Sequence, residues 1–142
     1  MVRLLIGHKG SGKTKKMVEL ANSSLENVNG SVVFINKNTR LTTDLKYSIR
    51  VVCMDDYAAI VNVDEFIGFL YGVVSQDHDI ETIYIDSILK YADINIESLQ
   101  GFLERLGEIS KQHEVDFVVS ISADGEELGE YINSYEIINT AE

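Results

Sequence analysis

One octapeptide constrains this chain more than any other stretch. Gly7-His8-Lys9-Gly10-Ser11-Gly12-Lys13-Thr14 satisfies the pattern G-x-x-x-x-G-K-[ST] at every specified position. Ahead of it, Val2-Arg3-Leu4-Leu5-Ile6 is a short apolar run suited to a buried strand, and behind it a helix-compatible segment extends from Lys13 to about Asn27. Strand, glycine loop and helix, in that order, make a phosphate-binding loop. At ordinary residue frequencies a chance match in a chain of this length is roughly a half-percent event, and the flanking pattern makes chance rarer still. Gly7, Gly10 and Gly12 allow backbone conformations that a Cβ would penalise, so successive N–H groups can turn inward around an anion. The start of the helix adds its partial positive charge.

The loop assigns its own side chains. Lys13 is expected to reach the β- and γ-phosphate oxygens, and the Thr14 hydroxyl to ligate the Mg²⁺ that accompanies them. His8, Lys9, Ser11 and Lys15 complete the nucleotide-binding stretch, His8 offering its N–H with its ring toward solvent. Magnesium bound in this way keeps several waters, and those need a carboxylate at the end of a neighbouring strand. Thr82-Ile83-Tyr84-Ile85-Asp86 is an apolar strand running into an acid, about seventy residues downstream, so Asp86 is expected in the Mg²⁺ shell.

At 142 residues the chain is expected to form a single nucleotide-binding domain over residues 1–142. Its net charge is −11, unevenly distributed. Residues 1–50 hold nine of the twelve Lys and Arg against three acids, Glu19, Glu26 and Asp44; the remainder holds three bases and twenty acids. The basic part is the part expected to face phosphates, while the acidic remainder disfavours extended nucleic acid as a partner. The one cysteine, Cys53, sits in an apolar run and reads as a small buried thiol, with no disulfide available within the chain. The apolar start is too short for a membrane span or a secretion signal, so a cytoplasmic location is expected.

Along the chain, Met17, Leu20, Ala21 and Leu25 stripe the first helix. Ser31–Asn36 and Arg50–Met54 read as strands, Asp64 as the cap of a helix through Val74, and Asn95 as the cap of an amphipathic helix carrying Ile96, Leu99, Leu103, Leu106 and Ile109. Phe117–Ser122 is a fifth strand, followed by a short helix around Glu126 to Ile132 and a candidate sixth, edge strand at Tyr135 to Ile138. The connection Lys37 to Tyr47 is polar, with a helical turn indicated at Leu41 to Leu45. Strands alternating with helices predict an α/β fold of three layers, with a mostly parallel five-stranded sheet covered by helices on both faces.

With these residues in place, the order resembles the RecA-like ATPase core. Ile85-Asp86-Ser87 looks like that family's strand ending in Asp-Ser, and Phe34-Ile35-Asn36-Lys37-Asn38 like its second-strand end. The resemblance implies a glutamate that activates water where this chain has Asn38. A second resemblance, to bacterial thymidine kinases, covers Gly7 to Lys16 and the strand order; it implies a catalytic Glu directly after the acid, where this chain has Ser87, and a four-cysteine zinc lasso that is missing. Both familiar positions for a general base are empty. The Asp-x-x-Gly and Asn-Lys-x-Asp steps of GTPases are not in place, which favours ATP over GTP.

The expectation is therefore Mg²⁺-dependent binding of ATP or ADP, with hydrolysis slow or stimulated by a protein partner or a second copy of the chain. Such a protein would act as a nucleotide-dependent switch or assembly subunit. Candidate water-orienting acids are Asp55 and Asp56 at the third-strand end and Asp44 in the connection; Ser120 or Ser122 could sense the γ-phosphate, and Arg40 could contact a phosphate. Two alternatives are a nucleoside-type small-molecule kinase and a degenerate interaction module that does not hydrolyse nucleotide.

Overall fold

A computed structural model describes residues 1–38 and 44–139. Six strands form one sheet: β1 (Val2–Gly7), β2 (Ser31–Asn36), β3 (Arg50–Cys53), β4 (Ile80–Ile85), β5 (Asp116–Ser122) and β6 (Glu136–Ile138). Their order across the sheet is β3-β2-β4-β5-β1-β6, and every pairing is parallel. The edge strand left as an option in the sequence is present, paired to β1 through Arg3–Leu5. The sheet is thus six-stranded and wholly parallel.

Three helices cover it: α1 (Lys13–Ser24), α2 (Val63–Gln76) and α3 (Ile96–His113). Side chains alternate along each strand between two apolar layers, as a pleat with period two requires. Leu4, Val33, Ile35, Ile83, Ile85, Phe117, Val119 and Ile121 join Phe66 and Leu70 of α2 and Leu99, Phe102 and Leu103 of α3 in the larger layer. Leu5, Val32, Phe34, Tyr84 and Val118 face the other way, against Met17 and Ala21 of α1 and against Leu45 and Ile49. Burial on both faces explains why these strands read as continuous apolar runs rather than alternating ones. Among the described residues, no helix is long and apolar enough to cross a membrane.

Three details depart from the sequence reading. Helix α1 stops at Ser24 rather than near Asn27, closed by turn hydrogen bonds from the Glu26 and Asn27 amides to Ser23 and Ser24. The cap of α2 is Asn62, whose Oδ1 accepts the Glu65 amide at 2.9 Å, while the Glu65 carboxylate accepts the Val61 amide at 2.8 Å. Asp64 is instead a first-turn acid paired with Arg105 at 2.5 Å. The helix expected around Glu126 to Ile132 is two 3₁₀ pieces, Gly125–Glu127 and Glu130–Ser134, separated at Gly129, whose φ is 99°. Asn95 caps α3 as expected, in a reciprocal box with Ser98. The turn expected at Leu41 to Leu45 falls largely outside the described residues.

Candidate nucleotide site

In a parallel sheet all strand ends of one polarity reach the same rim, and there the structure gathers the chemistry. Gly7 closes β1, and Gly10 and Gly12 take positive φ, 84° and 87°, a region that side chains with a Cβ enter only under strain. A Cβ on Gly7 would lie 2.7 Å from Ser11 Oγ, so a larger residue there would have to turn the Ser11 hydroxyl aside. Lys13 opens α1 with only 5% of its surface exposed. Its ammonium donates to the His8 carbonyl at 2.5 Å and approaches Ser11 Oγ at 3.4 Å, lying across the loop it would serve. Burial lowers its pKa below the usual lysine value; Asp86 works against this effect and Lys90 adds to it. A phosphate, being a charged acceptor, would compete with a neutral carbonyl for this ammonium.

Asp86 follows β4, between the P-loop helix and β5, and is nearly buried. Its two carboxylate oxygens are both held by hydroxyls: Thr14 donates to Oδ2 at 2.9 Å and Ser120 to Oδ1 at 2.8 Å. Ser120 Oγ in turn accepts the Ser87 amide at 2.7 Å. Ser87 has φ 59°, an uncommon left-handed setting for a residue other than glycine, and the chain turns there so that its N–H meets Ser120. The turn then returns on itself. Lys90 N–H donates to the Ser87 carbonyl at 2.9 Å, and the buried Tyr91 hydroxyl donates to the carbonyl of Asp86. Burial, with the Asp86 charge behind it, pushes the Tyr91 phenol well above its ordinary pKa, so it stays a protonated donor. The carboxylate is consequently fixed from its side-chain end and from its backbone end.

This donor set suits Mg²⁺. A hydroxyl and a carboxylate are hard oxygen ligands, and a magnesium ion that keeps its waters needs few protein groups. Among the described residues, no group of three or more His, Cys, Asp or Glu that could hold a metal ion occurs.

Three recesses surround the loop. One of about 430 Å³ is lined by Lys9, Gly10, Gly12, Lys13, Thr14 and Lys15 and reaches Ser87, Lys90 and Ser122. A second, about 370 Å³, lies on the far side of Thr14 and Asp86 and is bounded by Asn36, Asp44 and Lys90. A third, about 750 Å³, begins at His8 and runs toward β6 along Asp124, Glu126 and Glu130. His8 is mostly exposed as expected, but its Nδ1 also lies 2.6 Å from the Asp124 carboxylate, which ties the loop to the segment after β5.

The remaining sequence candidates separate. Ser122 pairs in register with Gly7 and lines the loop recess, and Asp44 lines the recess beyond Thr14. Ser120 is fully buried and engaged with Asp86. Asp55 is ion-paired with Lys37 at 3.1 Å, Asp56 is exposed in the same 3₁₀ turn, and neither lines a recess at the loop. Arg40 lies outside the described residues. Sequence reasoning passed over Lys90, which lines two of the recesses, and the buried amide of Asn36. A lysine four residues past a strand-ending acid was the available signal for the first; nothing local marked the second.

No protein-family profile and no curated protein matches the chain. Among solved structures, a KaiC-like protein from the hyperthermophilic archaeon Pyrococcus horikoshii is similar, with a TM-score of 0.62 and 22% identity. The match covers 92% of this chain and 64% of that one, so the present chain spans less than two thirds of its structural relative. That likeness, together with the strand order, shows the fold: a parallel α/β sheet covered by helices, with the glycine loop after its first strand.

Proposed function

We propose that this chain binds Mg·ATP and acts as a nucleotide-dependent switch or assembly subunit, with slow or partner-stimulated hydrolysis. The observation that supports this best is the hydrogen bond of 2.9 Å between the Thr14 hydroxyl and Asp86 Oδ2, two groups 72 residues apart. A bound Mg²⁺ would take a lone pair of the Thr14 hydroxyl, which keeps its proton and gives up this hydrogen bond, while the Asp86 carboxylate would hold the ion or its waters and Lys13 and the loop amides would hold the phosphates. The acidic recess beyond His8 suits the other end of the nucleotide: Asp124, Glu126 and Glu130 repel phosphate but accept hydrogen bonds from ribose hydroxyls. The cation supplies charge neutralisation between the terminal phosphates when bound; the protein supplies orientation.

Calorimetric titration with Mg·ATP tests the proposal. The expected result is saturable binding that is lost in Lys13→Ala and weakened when Mg²⁺ is chelated. An absence of binding by the wild-type chain, or binding indifferent to Lys13→Ala, refutes it and leaves the interaction-module reading.

A further inference from the structure

The recess beyond Thr14 holds a feature that nucleotide binding does not account for. Asn36 closes β2 and is 3% exposed, yet its Oδ1 is buried with no hydrogen-bond partner. A buried acceptor left unpaired is costly, and native proteins keep one mainly where something arrives to satisfy it. Its position says what. Strand β2 lies directly beside β4, the Asp86 amide donates to the Ile35 carbonyl at 2.9 Å, and Asn36 lines one recess with Thr14, Asp86 and Lys90. Thr14, Ser87 and Lys90 also line the loop recess, so the two cavities share a wall beside the glycine loop. At about 370 Å³ the space far exceeds the roughly 30 Å³ of a water molecule.

We propose that Asn36 is a catalytic residue whose Oδ1 accepts a hydrogen bond from the O–H nucleophile that attacks the γ-phosphorus, a step that rests on the Mg·ATP reading above. The shared chemistry is a hydroxyl donor, either water or a small alcohol. Its oxygen forms the new bond to phosphorus as the bond to the β,γ-bridging oxygen breaks, and that electron pair leaves with ADP. The amide cannot take a proton, so the proton of the nucleophile passes to an oxygen of the transferred phosphoryl group. A loose transition state tolerates this because the nucleophile need not ionise first. Lys90, which lines both cavities, would add positive charge beside the transferred phosphoryl group.

The test compares wild type with Asn36→Leu, an apolar replacement of similar volume, in three measurements. Removing an unpaired buried acceptor should raise Tm by a few degrees, where a merely structural amide would lower it. The Kd for Mg·ATP should stay within about threefold. Turnover should fall at least tenfold, the loss of one positioned hydrogen bond of about 1.4 kcal/mol. Phosphate release in buffer alone identifies water as the nucleophile; transfer of labelled phosphate to a panel of sugars, nucleosides and glycerol identifies an alcohol. Unchanged turnover in Asn36→Leu overturns the proposal, as does a wild-type chain that binds Mg·ATP but transfers phosphate to neither. Failure to bind Mg·ATP at all is read separately in the titration and removes the nucleotide reading itself.

Discussion

Ser120→Ala removes a single oxygen from a fully buried position and therefore isolates one link of the site. In the wild-type protein that oxygen donates to Asp86 Oδ1 at 2.8 Å and accepts the Ser87 amide at 2.7 Å. A hydrogen bond to a charged group contributes about 1.5–3 kcal/mol, and a deprived amide about 1 kcal/mol more when only partly screened from water. The expected cost is about 2.5–4 kcal/mol. For 142 residues the unfolding entropy is about 0.3 kcal/mol per degree near the melting temperature, so Tm should drop by about 8–13 °C in a calorimetric scan. The same substitution loosens the carboxylate, and loss of such a supporting hydrogen bond weakens a metal-dependent ligand by about tenfold or more. A double-mutant cycle with Asp86→Ala should return a coupling above about 1 kcal/mol, since both single changes break the same bond. If Ser120→Ala shifts stability by less than about 0.5 kcal/mol, or if the two changes simply add, Asp86 is not held in the way described.

Other predictions follow from separate features. Asn62→Ala should cost about 1 kcal/mol by losing the cap on α2, read by urea denaturation, whereas Asp64→Ala should stay within about 0.5 kcal/mol because its carboxylate is 86% exposed. Gly30→Ala would drive a Cβ into the Asp79 carbonyl oxygen, backbone against backbone, at the point where the Ser31 amide bonds that same carbonyl at 2.8 Å; a loss of about 2 kcal/mol or more is expected in the same assay. Burial lowers the Lys13 pKa, so the folded chain gives up that proton before the unfolded chain does, and this group's contribution to stability increases as pH rises from its folded pKa toward 10.5. Phosphate binding needs the ammonium, so Mg·ATP affinity should decline with rising pH before 10.5 is reached, and Lys90→Ala should move the decline to higher pH. A Kd independent of pH up to 10 would count against it.

The order of elements was legible because a parallel sheet buried on both faces writes its strands as unbroken apolar runs, and the glycine loop marks where the first of them ends. Asp86 could be singled out for the same reason: it is the polar stop of such a run. The sequence was less informative where several short polar residues compete. Asn62 and Asp64 are both good caps, and the side-chain geometry that selects Asn62 depends on the turn entering α2 rather than on residue type. In the sequence Ser120 reads as a serine that could sense phosphate. Its service to Asp86 arises because β5 lies between β4 and β1, an adjacency carried by the topology and by no local pattern. Asn36 was hidden in the same way: an amide at a strand end is ordinary until the neighbouring strand brings a carboxylate beside it and the packing removes its water. Asp55 and Asp56 illustrate the converse, since their position after β3 places them one strand beyond the site, where Lys37 takes up Asp55.

The placement of β1 between β5 and β6 sets a temporal order for the molecule. The glycine loop is made well before both strands that flank β1, with Leu5 aligned to Ser120 on one side and to Ile138 on the other. Long-range pairings of this kind close late and slowly. The nascent chain therefore carries its glycine loop unsupported until β5 and β6 have been made, and a chain cut before β5 would leave the apolar strand β1 without either neighbour.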